Sequence, residues 1–395
     1  MSSRWRASNR FSNTTMHAPD HPLRVALSTS VGQRGRSGVA TYLFGLIDGI
    51  VRTSPDVRLT LFGLADDKPL FRPWLDRCDW EEVSEFWRPA VRDVFWHQVM
   101  LPRRLAKSGA QVVHIPSYRR VLAHGAVPQV LTIHDCASFR LNGKYDAART
   151  LYTKRMVVPL ARRVRELIAV SGTTANDITH FYGVKRDEIK VVWNGIDHSR
   201  FRPEAAAEAP SLDRPYFLYV ARLEHPAKNH LGLIAAFEQL LAANPSLPHL
   251  LVLAGADWHG AETIHARIEA SPVRARIVTP GFVKTEDLAG WYAGAEAMVY
   301  PSLFEGFGLP PIEAMACGCP VVCSARGSLA EVVGSAARIV NPDDATDIAA
   351  GMTDMLQPAE REVWRQRGLR RAARFDWREV GKHTATIYRR AALAA

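Results

Sequence analysis

Two glutamates, Glu305 and Glu313, bracket the segment of this sequence that is best suited to chemistry. The segment reads Glu-Gly-Phe-Gly-Leu-Pro-Pro-Ile-Glu, and Gly306 and Gly308 let its backbone approach a ligand closely. Adjacent prolines are tolerated in the first turn of a helix, so Glu305 is predicted on a loop and Glu313 inside the helix. A carboxylate accepts hydrogen bonds from paired hydroxyls, and a helix N-terminus favours an anion. The segment therefore fits a sugar or ribose diol beside a diphosphate, with a capped helix carrying solvated glutamates as the plainer alternative.

Two cations, Arg222 and Lys228, follow the predicted strand Tyr216–Val220, and Asn229 is placed to cap the next helix. Cations at the carboxyl end of a strand, next to a helix N-terminus, form an anion site. Each cation alone would be interpreted as a solvated loop charge. Together with the acidic segment they favour an anion site.

In the first half of the chain, His134 and Asp135 follow the predicted strand Val130–Ile133, and Ser171 follows Leu167–Val170. A lone histidine after a strand is usually structural, and Ser171 could simply cap the next helix. Open parallel sheets, however, bind ligands beyond the carboxyl ends of their strands. Both residues therefore also stand where a ligand is expected.

Two glycine-containing segments follow strands as well. Gly38 ends a loop after the strand Leu23–Ser28, and Gly281, Phe282 and Val283 follow a strand of the second half. The first loop does not read Gly-x-Gly-x-x-Gly, which argues against a dinucleotide-dependent oxidoreductase. For the second segment, a strand end without a ligand is nearly as good an interpretation.

The elements that must position these residues alternate along the chain. Short runs rich in Val, Ile and Leu are each followed by a helical pattern, which predicts an α/β fold with parallel sheets and helices on both faces. The predicted strands of the first half are Leu23–Ser28, Val57–Phe62, Gln111–Ile115, Val130–Ile133 and Leu167–Val170. Those of the second half are Tyr216–Val220, Leu250–Ala254, Arg276–Val278, Ala297–Tyr300, Val321–Cys323 and Arg338–Val340.

A length of 395 residues favours two domains. Prolines and alanines between the two strand series predict a linker at residues 201–215. The first domain is then 23–200 and the second 216–376, with a facing cleft between their sheets. Residues 1–22 are expected to be a disordered leader, and 377–395 a C-terminal helix that could pack back on the first domain.

Composition limits the classes of molecule that the protein could bind and the compartment in which it could work. A net charge of +10 indicates an anionic partner, but no nucleic-acid-binding module is recognised, so nucleic acid is not expected. The five cysteines form neither a disulfide framework nor a zinc pattern, which favours a reduced, cytoplasmic protein. No apolar run is long enough to span a bilayer.

One predicted helix has a stripe of apolar residues that could bind a membrane surface. Arginines and a lysine surround it, so it could lie on an anionic membrane, although a helix packed in the first domain is the somewhat stronger interpretation. The apolar residues of the stripe are Trp87, Val91, Val94, Phe95 and Val99, and the cations are Arg88, Arg92, Arg103, Arg104 and Lys107. Localisation would then be cytoplasmic, with possible peripheral contact on the inner face of the membrane.

The acidic segment and its continuation to Val322 resemble the Glu-x7-Glu signature of the family 4 retaining glycosyltransferases (glycosyl transferases group 1). The segment Arg222–Asn229 and the pair His134-Asp135 are similar to the same family. The resemblance implies the GT-B fold, two facing Rossmann-like domains with an interdomain cleft. It covers most of the chain from Leu23 to Tyr388.

The resemblance also implies roles for the individual residues. Glu305 would face the transferred sugar, Glu313 would bind the ribose hydroxyls, and Arg222 and Lys228 would contact the diphosphate. Their charge would offset the charge of the leaving group, so no metal cofactor is expected. The implied catalytic residues are His134, Arg222, Lys228 and Glu305. The implied donor-binding residues are Gly38, Ser171, Gly281, Phe282, Val283, Gly306, Phe307, Gly308, Leu309 and Glu313.

The expected reaction is transfer of a hexose, with retained configuration, from a nucleotide-diphosphate sugar to a glycan or lipid-linked acceptor of bacterial polysaccharide biosynthesis. Mannose from GDP-mannose, or a related sugar, is preferred because Phe95–Gln98 and His134-Asp135 resemble bacterial mannosyl- and rhamnosyltransferases. A GT-B nucleotide-sugar epimerase is one alternative. A non-catalytic protein that binds nucleotide sugars or anionic surfaces is the other.

Overall fold

The computed structural model of the chain describes residues 21–35, 37–125, 127–141 and 147–393. Strands and helices alternate along this part of the chain, and the paired strands of both sheets run parallel. The predicted α/β fold with two parallel sheets is confirmed. The expected leader at 1–22 lies almost wholly outside the described residues.

The described residues form a seven-stranded sheet with the order β3-β2-β1-β4-β5-β6-β7 and a six-stranded sheet with the order β10-β9-β8-β11-β12-β13. Strand order reverses beside β1 in the first sheet and beside β8 in the second, and ligands bind at such switch points. The first sheet comprises β1 (Leu23–Ser28), β2 (Val57–Leu64), β3 (Cys78–Val83), β4 (Val112–Ile115), β5 (Gln129–Ile133), β6 (Glu166–Ala169) and β7 (Ile189–Val191). The second comprises β8 (Tyr216–Val220), β9 (Leu250–Ala254), β10 (Ile277–Gly281), β11 (Ala297–Tyr300), β12 (Val321–Ser324) and β13 (Arg338–Val340).

Helices cover both faces of each sheet, which is why the strands are apolar on both sides. Those before the change of sheet are α1 (Gly38–Thr53), α2 (Lys68–Phe71), α3 (Ala90–Phe95), α4 (Leu101–Ser108), α5 (Ala137–Arg140), α6 (Ala147–Tyr152), α7 (Val158–Ala161) and α8 (Gly172–Tyr182). Those after it are α9 (His230–Ala243), α10 (Ala261–Glu269), α11 (Leu288–Ala293), α12 (Leu309–Ala316), α13 (Leu329–Val333), α14 (Ala345–Met355), α15 (Pro358–Ala372) and α16 (Trp377–Leu393).

The last helix, α16, lies against α1 of the first domain. A Cβ added at Gly45 would collide with the Trp377 indole, so α1 needs a glycine at this contact. Further along, the Tyr388 hydroxyl lies 2.7 Å from Nδ1 of the buried His114, and Arg389 pairs with Asp56 at 2.7 Å. The chain therefore crosses from the second domain back to the first.

The sequence prediction missed β3 and β7, the two edge strands of the first sheet. The β3 sequence, Cys-Asp-Trp-Glu-Glu-Val, is mostly polar, and β7 is only three residues long. Edge strands contain fewer apolar residues because one of their two sides has no neighbouring strand and faces solvent. The run of apolar residues that indicates a buried strand is therefore weak in both.

The predicted helical stripe at Trp87–Val99 is interrupted. Trp87 lies in a 3₁₀ turn, α3 begins after Pro89, and Val99 falls in a π-helical turn at Trp96–Met100. Proline stops a helix from running continuously from Trp87 into α3. Val91 and Phe95 are nevertheless exposed, at 84% and 53%.

Candidate active site

Glu305 is the centre of a compact polar cluster at the carboxyl end of β11. Its Oε1 accepts hydrogen bonds from Lys228 Nζ at 2.6 Å, Tyr300 Oη at 2.8 Å and Ser302 Oγ at 2.8 Å. Burial alone would raise the pKa of Glu305, but the Lys228 ammonium and these hydrogen bonds outweigh it and hold the pKa below its ordinary value. The carboxylate is therefore ionised at neutral pH. The sequence correctly predicted Glu305 on the loop. It did not predict Tyr300 and Ser302 as members of the site, although Tyr300 is the last residue of a predicted strand and Ser302 comes two residues later.

The two predicted phosphate cations have different surroundings. Lys228 is enclosed and paired with Glu305, whereas the Arg222 side chain is 42% exposed and its Nη2 lies 3.9 Å from Glu224. The Arg222 guanidinium also lies over the ring of Trp258, 4.4 Å from its centroid. Trp258 is half-exposed and comes after β9, where the strand-end rule could have identified it.

Asn229 does not cap α9 with its side chain as predicted. Its backbone is left-handed, with φ 55°, and its amide nitrogen instead donates to the carbonyls of Pro301 and Pro342, at 3.2 and 2.7 Å. Those two acceptors lie after β11 and β13. Asn229 therefore ties the loop that carries Lys228 to the neighbouring strand ends.

Gly306 brings residues from the two halves of the chain together. Its carbonyl accepts hydrogen bonds from Ser171 Oγ at 2.8 Å and Thr174 Oγ1 at 3.1 Å. A Cβ added at Gly306 would collide with the His134 carbonyl. Only glycine permits this approach, so His134, Ser171 and Gly306, three predicted site residues, meet at one place. Ser171 also caps α8, accepting from Thr174 N at 2.9 Å, as the sequence allowed.

His134 is held as a neutral imidazole. Burial lowers its pKa, and the Pro116 carbonyl and Asp135 offset this only in part. Because a carbonyl can only accept, the 3.0 Å contact from His134 Nε2 to Pro116 O places the proton on Nε2 and leaves Nδ1 as an acceptor. Asp135, left without a role by the sequence, accepts from Ala137 N at 2.8 Å at the start of α5.

Glu313 lies inside α12, as predicted, but its side chain is buried. It is 8% exposed, and its Oε2 accepts from Tyr292 Oη at 3.1 Å. Burial raises the pKa of Glu313 to about 7, with the Tyr292 hydrogen bond and Arg200 opposing the rise. Among the described residues, Tyr292 is the one donor to this carboxyl, which leaves acceptor capacity that a ribose diol could use.

The other predicted donor-binding residues lie around these groups. Gly308 precedes α12 with φ 90°, Phe307 is buried against Phe375, and Leu309 is half-buried. Gly38 begins α1 and has open space where a Cβ would be.

The predicted base-binding segment ends β10. Gly281 has φ 75° with open space on its Cβ side, Phe282 is 48% exposed, and Val283 packs partly on the second-domain core. Phe282 thus offers an exposed aromatic ring at a strand end of the second domain.

In the described ranges, His, Cys, Asp and Glu side chains nowhere gather in a group of three or more that could hold a metal ion. The five cysteines are buried and unbonded to one another. None of the helices in the described ranges is long and apolar enough to cross a bilayer.

Comparison with family profiles divides the chain in two. The profile "Glycosyltransferase Family 4" matches residues 36–200, and "Glycosyl transferases group 1" matches residues 201–371. The boundary falls at the start of the predicted linker.

Several curated proteins are similar in sequence. O-antigen chain mannosyltransferase B of Escherichia coli is 32% identical over 286 residues, which cover 70% of this chain and 74% of that protein. The MMP alpha-(1->4)-mannosyltransferase of Mycolicibacterium hassiacum is 32% identical over 59% of this chain and 56% of that protein. D-inositol 3-phosphate glycosyltransferase 2 of Catenulispora acidiphila is 33% identical over 67% and 65%. For the last two, the match spans less than two thirds of the relative.

Solved structures show the same fold over nearly the whole chain. Sucrose-phosphate synthase from Thermosynechococcus elongatus superposes with a TM-score of 0.75 at 21% identity, covering 94% of this chain and 100% of that one. HepE from Anabaena, in complex with UDP and glucose, superposes with a TM-score of 0.71 at 19% identity, covering 93% and 99%.

Proposed function

This chain belongs to the family 4 glycosyltransferases and has the GT-B fold; on that premise, we propose that it transfers a hexose from a nucleotide-diphosphate sugar to a glycan or lipid-linked acceptor. The observation that carries the proposal is the ionised Glu305–Lys228 pair, with Arg222 nearby in sequence, at the switch point of the second sheet. Gly306, next to Glu305, contacts His134 of the facing domain.

The proposed mechanism is mostly positioning and electrostatics. Arg222 and Lys228 bind the diphosphate and offset the charge that grows on its leaving oxygen. The acceptor attacks from the face that the diphosphate leaves, and the departing phosphate oxygen takes the acceptor's proton. The anomeric configuration is then retained, and no metal ion is needed because the cations take its place.

Mannose is the proposed sugar, with GDP-mannose as the preferred donor. Two of the similar proteins carry mannosyltransferase names, which supports mannose. The HepE complex contains UDP, so UDP-sugars are the donors to compare with GDP-mannose.

A donor panel tests the proposal. GDP-mannose, UDP-glucose and UDP-galactose are each titrated into the protein, and release of nucleoside diphosphate is followed with a mixture of simple mannoside and glucoside acceptors. Turnover with GDP-mannose above the others, abolished by Glu305→Gln, supports it. Faster turnover with a UDP-sugar would overturn the mannose assignment, and no binding of any donor by folded protein would overturn the transferase proposal for this site.

We also propose peripheral contact with an anionic membrane through the exposed surface of Phe86, Val91 and Phe95, where Arg92 lies 4.3 Å from the Phe86 ring centroid. Apolar side chains beside cations suit an anionic interface. Vesicles of neutral and anionic lipid test it by sedimentation at low and high salt, because exposed charge attraction weakens with ionic strength. Equal recovery of wild type and a Val91→Ser/Phe95→Ser variant with the anionic vesicles would contradict it.

A further inference from the structure

The segment Gly327–Glu331, which follows β12 and runs into the first turn of α13, touches both domains at once. Its first residues, Gly327 and Ser328, pack against the loop that carries Glu305. Ser328 N donates to Glu305 O at 3.0 Å, and Ser328 Oγ lies 3.1 Å from Glu305 O and 2.9 Å from Phe307 O. Gly327 has φ 62°, and a Cβ there would lie 2.7 Å from the Glu305 nitrogen. A change in the position of this segment would therefore move Glu305.

Its last residue, Glu331, binds the first domain with both carboxylate oxygens. Oε1 accepts from Gly172 N at 2.7 Å and Trp193 Nε1 at 2.8 Å. Oε2 accepts from Thr173 N at 2.9 Å and Thr173 Oγ1 at 3.2 Å. All of these donors belong to the first domain, so one side chain makes four hydrogen bonds across the domain boundary.

The place that Glu331 binds is the N-terminus of α8. The first amide groups of a helix have no acceptor within it and need an outside partner. Ser171 supplies that partner for Thr174, whereas Glu331 supplies it for Gly172 and Thr173. A carboxylate at this end of a helix also interacts favourably with the helix dipole.

The same end of α8 carries Ser171 and Thr174, which bind the Gly306 carbonyl. Glu331 and Gly306, both in the second domain, thus bind neighbouring residues at the N-terminus of α8 in the first domain. When Glu331 is bound, Gly306 lies against His134 and the Glu305 loop is held by Ser328.

We infer that Glu331 is a positioning residue whose binding to the N-terminus of α8 couples closure of the two domains to alignment of the Glu305–Gly306 loop with His134. This inference rests on the proposed glycosyl transfer and adds a residue that touches no reacting atom. It predicts that turnover depends on Glu331 while nucleotide binding to the second domain does not.

The test compares Glu331→Gln and Glu331→Ala with wild type and with Glu269→Gln, an exposed glutamate of the second domain that pairs only with Arg274 among the described contacts. Glutamine keeps the shape of the Glu331 side chain but replaces one carboxylate oxygen with an NH₂ group. That group is a donor and would face the N–H donors of the first domain. Hydrogen exchange at the amides of Gly172 and Thr173, the radius of gyration by X-ray scattering, kcat, and the affinity for GDP and UDP are measured for each protein.

Both Glu331 variants should exchange these two amides about 10- to 100-fold faster, since a hydrogen bond to a charged acceptor is lost. They should also be less compact and lose about 10- to 100-fold in kcat. GDP and UDP affinity should stay within about twofold of wild type, and Glu269→Gln should match wild type throughout. Thr173→Val, which loses only the hydroxyl donor, should give a smaller change in the same direction.

Unchanged exchange and compactness in both Glu331 variants would overturn the inference, whatever their activity. Faster exchange and a larger radius with unchanged kcat would overturn the coupling to turnover. If the wild-type protein turns over none of the donors, the proposed function fails, but the exchange and scattering results still decide whether Glu331 holds the domains together. If Glu331→Ala does not fold, Glu331→Gln and Thr173→Val carry the same comparison.

Discussion

The two faces of the cleft differ in charge. On the second-domain face, Lys228 and Glu305 form a charged pair at 2.6 Å, and Arg222 adds a partly exposed cation. On the first-domain face, the His134 imidazole and the Ser171 hydroxyl are both uncharged. The imidazole donates to the Pro116 carbonyl and the hydroxyl to the Gly306 carbonyl. Charge is therefore concentrated where a diphosphate would leave, and the opposite face supplies uncharged groups fixed in place.

The largest expected effect comes from removing a charge on the second-domain face. Lys228→Ala leaves the buried Glu305 carboxylate without its cation and removes a charge from the proposed diphosphate site. We expect kcat to fall on the order of 10²–10³-fold, and more than nucleoside-diphosphate affinity falls, because the cation interacts most strongly with the transition state. Turnover at saturating donor and direct titration measure the two quantities.

Lys284→Ala is the matched control, since the Lys284 side chain is 70% exposed in the same domain. It should behave as wild type. Turnover near wild type in Lys228→Ala, with only affinity reduced, would make Lys228 a binding clamp and remove the contrast between the faces.

A smaller effect is expected from disturbing the contact between the faces. Gly306→Ala places a methyl group against the His134 carbonyl, so the Gly306 loop and the His134 backbone must move away from each other. We expect turnover to fall about 10²-fold, the loss typical of a displacement of about 1 Å in a catalytic arrangement. Nucleoside-diphosphate affinity should be retained. Steady-state kinetics and titration check both values.

Gly125→Ala is the control for this variant, because the nearest atom to an added Cβ there is 3.9 Å away. If Gly306→Ala turned over like Gly125→Ala, the close approach of the domains would not be needed for the reaction.

Glu313 provides the next test, in which stability and binding should move in opposite directions. Its folded-state pKa of about 7 lies above the ordinary 4.5, so the folded protein keeps a proton that the unfolded chain releases. The stability contributed by that proton is complete below the ordinary pKa and is lost as the pH rises through the folded pKa. Glu313→Gln should therefore be more stable than wild type at pH 8, by about 1–3 kcal/mol, and equal to it near pH 4.

At pH 8, where the wild-type Glu313 carboxyl is ionised, the same variant should bind nucleoside diphosphate about tenfold more weakly, because a charged acceptor for the ribose hydroxyls becomes neutral. Urea unfolding at the two pH values and nucleotide titration measure these changes. A gain in stability with unchanged affinity would leave Glu313 as a buried residue of α12 without a role in binding.

The sequence predicted the positions of the candidate site residues after strands better than it predicted the contacts that those residues make. Strand-end position singled out Arg222, Lys228 and Glu305, and the structure places each of them after an apolar strand. It could not identify Glu331, whose partners are backbone amides of a distant helix, or the collision that makes Gly306 necessary. Asn229 was predicted as a cap from its type alone, and the strand ends nearby gave its amide other acceptors. The contacts of Glu331 and Gly306 depend on how the two domains meet, and those of Asn229 depend on how neighbouring strand ends of one domain meet. Local sequence patterns contain neither kind of information.

The most direct test of the account is turnover of the preferred nucleotide sugar with metal ions removed. The cations Arg222 and Lys228 are proposed to take the place of a metal at the leaving diphosphate. Steady-state kinetics are measured in excess EDTA and after addition of magnesium or manganese, with nucleoside-diphosphate release as the readout. The account predicts that kcat and KM stay the same in all conditions. Turnover that is lost in EDTA and restored by either metal would contradict it.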